Sequence, residues 1–199
     1  GDVNINQIGS DAMRILQGSQ SAIVNWQSFD IGRGALVDIV QPNVDSAMLS
    51  RVIGDNLSEI YGTLNSNGQL YLINPNGILF GDSAQVNVYS LVASTLDLAD
   101  SDFLTGNIHF TGNSEASVIN LGTINSESFT ALIAGDVQNK GDIIAPGGDV
   151  ALLSGDALIE VGEAAGGKIT MDLSGLLGGS ASNSGSIDAS SDDSTGGSV

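Results

Sequence analysis

Asn120-Leu121-Gly122-Thr123-Ile124 returns nineteen residues later as Asn139-Lys140-Gly141-Asp142-Ile143, and again as Asn183-Ser184-Gly185-Ser186-Ile187. A second pattern, Gly-Gly-x-(Val/Ile)-x-(Leu/Met), stands at Gly147-Gly148-Asp149-Val150-Ala151-Leu152. It recurs nineteen residues on, at Gly166-Gly167-Lys168-Ile169-Thr170-Met171, and Gly196-Gly197-Ser198-Val199 begins a third copy. Two independent motifs with one period predict repeating units. A period near 19 with short strands and tight turns fits one coil of a parallel β-helix, three short strands to the turn. No coil buries its apolar face alone, so each must stack on its neighbours. The third copies fall out of period, so insertions or irregular coils are expected there. Coils of about 20 residues give roughly ten turns and, at ~4.8 Å per strand, a rod roughly 50 Å long.

The flanking residues suit such a rod. Val3-Asn4-Ile5-Asn6-Gln7-Ile8, Val86-Asn87-Val88 and Ile169-Thr170-Met171-Asp172-Leu173 alternate apolar and polar residues, a strand signal. Asn120 and Asn139 at equivalent turns can form an amide ladder. Gly122 and Gly141 after them would supply left-handed or tight backbone. The best helix candidate is Asp45 to Val52, where Asp45 or Ser46 would cap a short turn holding Ala47, Met48, Leu49 and Val52. An open coil end exposes strand edges, so residues 1 to about 30 are expected to cap one end. Trp26, Phe29 and Phe80, among few aromatics, are expected as cap or core residues that plug an end or anchor an extra-helical segment.

Composition narrows the function. The chain has 199 residues, of which 41% are hydrophobic and 5% aromatic, with 27 Gly, 3 Pro and no Cys. A mean hydropathy of +0.17 is too apolar for general disorder. The formal charge is -18, and the five basic residues are scattered. A nucleic-acid partner needs clustered Lys and Arg, so nucleic acid and anionic membrane surfaces are poor partners. High negative charge favours solubility and a monomer. The lack of Cys suits export through an oxidising compartment. No apolar run is long enough for a transmembrane helix and no signal peptide is visible; if the protein is secreted, Gly1 is expected to follow a cleavage site or to be an arbitrary boundary of a longer chain. No cofactor, catalytic group or metal site is expected. His109, the one histidine, lies in a plain strand pattern. Asp97, Asp100 and Asp102 lack EF-hand spacing and read as an acidic solvated loop.

Residues 22 to 97 are the least repetitive part. In order they carry Trp26, Phe29, Gln41-Pro42-Asn43, Arg51-Val52 before Gly54, Leu72-Ile73-Asn74-Pro75-Asn76-Gly77, and Val92-Ala93-Ser94-Thr95. This ordered set resembles the two-partner secretion (TPS), or haemagglutination-activity, domain of filamentous-haemagglutinin-like exoproteins. The resemblance covers roughly residues 1 to 165. Asn-Pro-Asn-Gly alone is a weak signal; the set at matching spacing is specific. Two departures stand out: Tyr89-Ser90, where the family often has two Gly, and Ser50, where many members have Asn.

The resemblance implies an all-β fold: a right-handed, single-stranded parallel β-helix with an N-terminal cap and extra-helical β-hairpins. It implies a secretion domain over 1–165, with further coils over 166–199 opening a repeat region that Gly196 to Val199 cuts short. It also implies a secreted or surface protein of a Gram-negative cell, crossing the periplasm to an outer-membrane β-barrel transporter with periplasmic POTRA domains. The domain would target and nucleate a large exoprotein, an adhesin by expectation. Asn74, Pro75, Asn76, Gly77, Gln41, Pro42 and Asn43 would form the secretion motif. The same residues also read as tight turns serving folding. Two other functions compete: a module binding a host-cell receptor or matrix glycan directly, and a polysaccharide-active β-helix enzyme.

Overall fold

The computed structural model describes residues 1–154, 159–164, 168–172, 179–191, 197 and 199. β1 (Val3–Gly9) and β2 (Ala12–Gln17) form an antiparallel hairpin at one end. The chain then winds through β3 (Ser21–Trp26), β4 (Leu36–Val40), β5 (Ala47–Val52) and β6 (Ser58–Ile60). β7 (Thr63–Ile73) bends across a corner and is followed by β8 (Ile78–Phe80). After β9 (Gln85–Ser94) the chain leaves the rod as β10 (Asp97–Leu98), α1 (Asp100–Thr105) and β11 (Ile108–Thr111). It returns through β12 (Ser117–Asn120), β13 (Thr123–Ala134), β14 (Asp136–Asn139), β15 (Asp142–Ile144) and β16 (Asp149–Ser154). A second excursion carries β17 (Ile159–Ala164) and β18 (Lys168–Asp172), before β19 (Ser180–Asn183) and β20 (Ser186–Asp188) rejoin the stack.

Three parallel faces result. The first runs β2-β4-β7-β9-β13-β15-β20. The second runs β3-β5-β7-β9-β13-β16, sharing the long strands beyond their bends. The third runs β6-β8-β12-β14-β19. This is a parallel β-helix. Among the described residues the first face has seven parallel rungs, fewer than the roughly ten expected, because the two excursions draw chain out of the rod.

Alternation decides what fills the interior. Val37, Leu64, Val86, Ile124 and Ile143 stand in register on the first face and all are buried in one cluster along the axis. Stacked branched chains of this kind each contribute about 1.5–3 kcal/mol on burial. The second face is apolar on its outer side as well. There Leu49, Tyr71, Val92, Ala131 and Ala151 align and join a second buried cluster with Leu96, Leu98, Phe103 and Phe110 of the first excursion.

That double burial overturns the expected helix at Asp45 to Val52. Residues 47–52 are strand β5. Met48 and Val52 belong to the axial cluster, while Leu49 between them belongs to the outer one, so its apolar pattern is continuous rather than alternating. The Gly-Gly pattern is corrected too. Val150 lies in β16, parallel to β13, whereas Ile169 lies in β18, antiparallel to β17 and outside the rod. Its nineteen-residue spacing does not mark successive coils. Gly197 instead stacks on Gly148.

Candidate functional site

Asn74-Pro75-Asn76-Gly77 turns the chain from the second face to the third. The Gly77 N–H donates to the Asn74 carbonyl at 3.0 Å, closing the β-turn that Asn at the first position, Pro at the second and Gly at the fourth favour. Asn76 does not take the left-handed conformation; Gly77 alone does, at φ 115°. The Asn74 side chain is fully buried. Its Oδ1 accepts from the Asn76 N–H at 2.9 Å, and its Nδ2 donates to the Asn56 carbonyl and Ser58 Oγ, each at 3.0 Å. Asn76 Nδ2 reaches the Gly54 carbonyl at 2.8 Å, and Ser114 Oγ donates to the Pro75 carbonyl at 2.7 Å. One turn thus ties the preceding coil to the following one, leaving Pro75 and Asn76 exposed.

Gln41-Pro42-Asn43 occupies a corner between the first and second faces. Gln41 is buried. Its Nε2 donates to the Ser46 carbonyl at 2.9 Å, and its Oε1 accepts from Ser66 Oγ at 2.6 Å. Asn67 embraces its backbone, accepting the Gln41 N–H at 2.7 Å and donating to its carbonyl at 2.9 Å. Asn43 Oδ1 takes the Asp45 N–H at 3.0 Å, an Asx turn next to exposed Pro42. The two motifs lie at different corners and form no common pocket.

Arg51 is the residue whose role sequence reading missed. It lies on the outer side of β5, and its side chain is 15% exposed. Nε donates to Asp97 at 2.8 Å, Nη1 to Asp100 at 2.7 Å, and Nη2 to the Leu98 carbonyl. The expected acidic solvated loop is corrected in part: Asp97 and Asp100 are more than half exposed but held by the guanidinium fork, Asp97 opens β10, and Asp100 and Asp102 belong to α1. Burial works against the Arg51 charge, but the Asp100 hydrogen bond and Asp97 more than offset it and raise its pKa. Adhesion of the excursion comes mainly from Phe103 and Phe110, each worth about 1.5–3 kcal/mol on burial, while a half-exposed ion pair adds about 1 kcal/mol or less. The fork sets position. Among the described residues, no group of three or more acidic or His side chains is placed to hold a metal.

The aromatics divide. Trp26 and Phe29 meet edge to face at 5.4 Å in the first coil. Phe80 lies mid-rod on the third face, fully buried between Ile60 and Asn120 in register, so it neither plugs an end nor anchors an excursion. From Asn120 onward that column changes to amides. Asn120 Nδ2 donates to Asn139 Oδ1, and Asn139 Nδ2 to Asn183 Oδ1, each at 2.8 Å. Gly122 and Gly141 have ordinary φ. They are required by close approach, since a Cβ on Gly141 would lie 2.1 Å from the Gly122 carbonyl oxygen. His109 lies on β11. Of the two departures from the family pattern, Ser50 and Ser90 are both buried with no partner for Oγ.

The family model described as TPS secretion domain matches residues 1–199. A Heme/hemopexin-binding protein of Haemophilus influenzae strain Rd is 36% identical over 168 residues, covering 78% of this chain and 18% of that protein. A second Heme/hemopexin-binding protein of Haemophilus influenzae is 46% identical over 98 residues, 49% of this chain and 11% of its own length. The chain thus spans under a fifth of these relatives. The crystal structure of the HMW1 secretion domain from Haemophilus influenzae superposes with a TM-score of 0.82 at 31% identity, covering 94% of this chain and 50% of that one.

Proposed function

Because the chain belongs to the TPS secretion domain family, we propose that an outer-membrane β-barrel transporter with periplasmic POTRA domains recognises it while it is unfolded. It is the secretion domain of an exoprotein of the two-partner type, secreted or displayed by a Gram-negative cell. In this reading the chain crosses the periplasm extended, folds outside, and offers its last rung as template for the rest of the rod. No catalytic step is involved.

One observation carries the reading: the fold buries two of the motif's amides. Asn74 and Gln41 are buried, with their amides satisfied by neighbouring coils. A partner that reads those amides can do so only before coiling, and coiling withdraws them. Recognition and release would thus be one equilibrium, which gives export a direction. The relatives' names state heme/hemopexin binding for those proteins, which supports a host-directed task, adhesion or ligand capture, for the full-length protein.

The test measures binding of the transporter's purified periplasmic domains to the folded chain and to the chain in a urea concentration that unfolds it but not them. Binding restricted to the unfolded chain, and lost with Asn74→Ala, is expected. Equal binding to the folded wild type would overturn the reading.

A further inference from the structure

The outer side of the first face carries a second amide ladder. Asp38, Asn65, Asn87, Asn125 and Ile144 align rung by rung. Asn87 Nδ2 donates to Asn65 Oδ1 at 3.0 Å, and Asn125 Nδ2 to Asn87 Oδ1 at 2.9 Å. Unlike Asn120 and Asn139, these side chains reach solvent and line a groove of about 920 Å³ along the rod. Val40, Ile144 and Pro146 give the groove apolar walls.

Each amide has two N–H groups and two lone pairs. The ladder uses one of each at its middle rung, leaving a donor and an acceptor facing out. Asn is a poor strand residue, so three exposed rungs of it are not what packing favours. Along the same rungs run Thr63, Gln85 and Thr123. Donor and acceptor together, repeated every ~4.8 Å beside an apolar wall, match a chain of hydroxyls with C–H faces. Charge narrows the ligand further. The chain carries -18, Glu127 lines the groove, and Arg14 is already paired to Asp38 at 2.9 Å. Acidic polymers are repelled.

We propose that this groove binds a neutral linear polysaccharide along the rod axis, about one sugar to a rung. The site is independent of the secretion role. Chain 1–199 would be titrated with cellohexaose, β-1,4-mannohexaose and hexagalacturonate, following the side-chain amide signals of Asn65, Asn87 and Asn125 by NMR. Saturable shifts of those signals with a neutral hexaose are expected. Asn87→Ala should weaken binding about tenfold or more with an unchanged melting temperature and unchanged export. Asn139→Ala should lower stability and leave affinity unaltered. No shift at millimolar neutral hexaose, shifts with hexagalacturonate alone, or equal affinity in Asn87→Ala would overturn the proposal.

Discussion

Arg51 Nη1 lies 2.7 Å from Asp100 Oδ1 although forty-nine residues separate them. The contact joins the second coil to an excursion that leaves the rod only within the fourth, between β9 and β12. Arg51→Ala should destabilise the chain by only about 1 kcal/mol, because it removes charge-assisted hydrogen bonds but leaves Asp97 and Asp100, both over half exposed, to water. Arg51→Lys keeps the charge but lacks the fork, so it should fall between. Urea melts give the magnitude. Hydrogen exchange should show the loss of protection at 97–111 before 63–94; uniform loss over both would contradict a positioning role.

Gly141→Ala should cost several kcal/mol or prevent folding. Its Cβ would meet backbone of the coil before it, the Gly122 carbonyl oxygen at 2.1 Å, and backbone there cannot move without breaking the ladder. Gly32→Ala is the control: nothing lies within 4 Å of its Cβ and its φ is ordinary, so a change within about 0.5 kcal/mol is expected. Thermal melts of both variants decide it.

At the secretion motif, the residues should differ in kind. Asn74→Ala strands the Asn76 N–H and the Asn56 carbonyl, for about 2–4 kcal/mol. Gly77→Ala forces a left-handed side chain, for about 1–2 kcal/mol. Pro75→Ala, exposed and without a side-chain role in the turn's bonds, should cost under about 1 kcal/mol. If export follows this order, folding carries the motif's effect; if Pro75→Ala blocks export in a stable chain, direct reading of the motif does.

These expectations rest on a fold whose spacing was legible only where no chain leaves the rod. Asn120 and Asn139 are nineteen residues apart, a single uninterrupted turn. Asn139 and Asn183 stack equally well but lie forty-four apart, because the second excursion intervenes. The outer ladder has no fixed period either: one uninterrupted coil sets a step of 22 residues, and the first excursion stretches the next to 38. Its available signal was the triplet Thr63-Leu64-Asn65, Gln85-Val86-Asn87, Thr123-Ile124-Asn125. The Arg51 fork left no periodic trace at all, since it joins elements of different coils through side chains alone. The β5 error came from double-sided burial, which makes a strand look like a helix face.

Asp136 makes the joint across that second gap pH-sensitive. Hydrogen bonds from Ser180, then Gln138 and Ser117, hold its carboxyl below the ordinary 3.8. A carboxylate with a lowered folded pKa contributes stability that is present above its unfolded pKa and lost as pH falls through the folded one. The stability difference between wild type and Asp136→Asn should therefore be constant above about pH 5 and shrink as pH falls below 3.8 toward the folded value. Paired urea melts from neutral to acid check this; a difference that grows on acidification would reverse the assignment.

Ser50 offers the opposite case, a substitution expected to help. Its Oγ is buried without a partner, on a rung between Val24 and Leu72. A buried hydroxyl without a hydrogen bond costs roughly 1–3 kcal/mol relative to an apolar group, offset where the new side chain leaves a void. Alanine removes only the oxygen, so Ser50→Ala should leave stability unchanged or raise it by about 0.5–1 kcal/mol. Ser90, buried and partnerless in the same way, should respond alike, and since the two are separate the effects should add. A loss above about 1 kcal/mol in either single variant would mean that the hydroxyl is satisfied in solution, by a water within the rod.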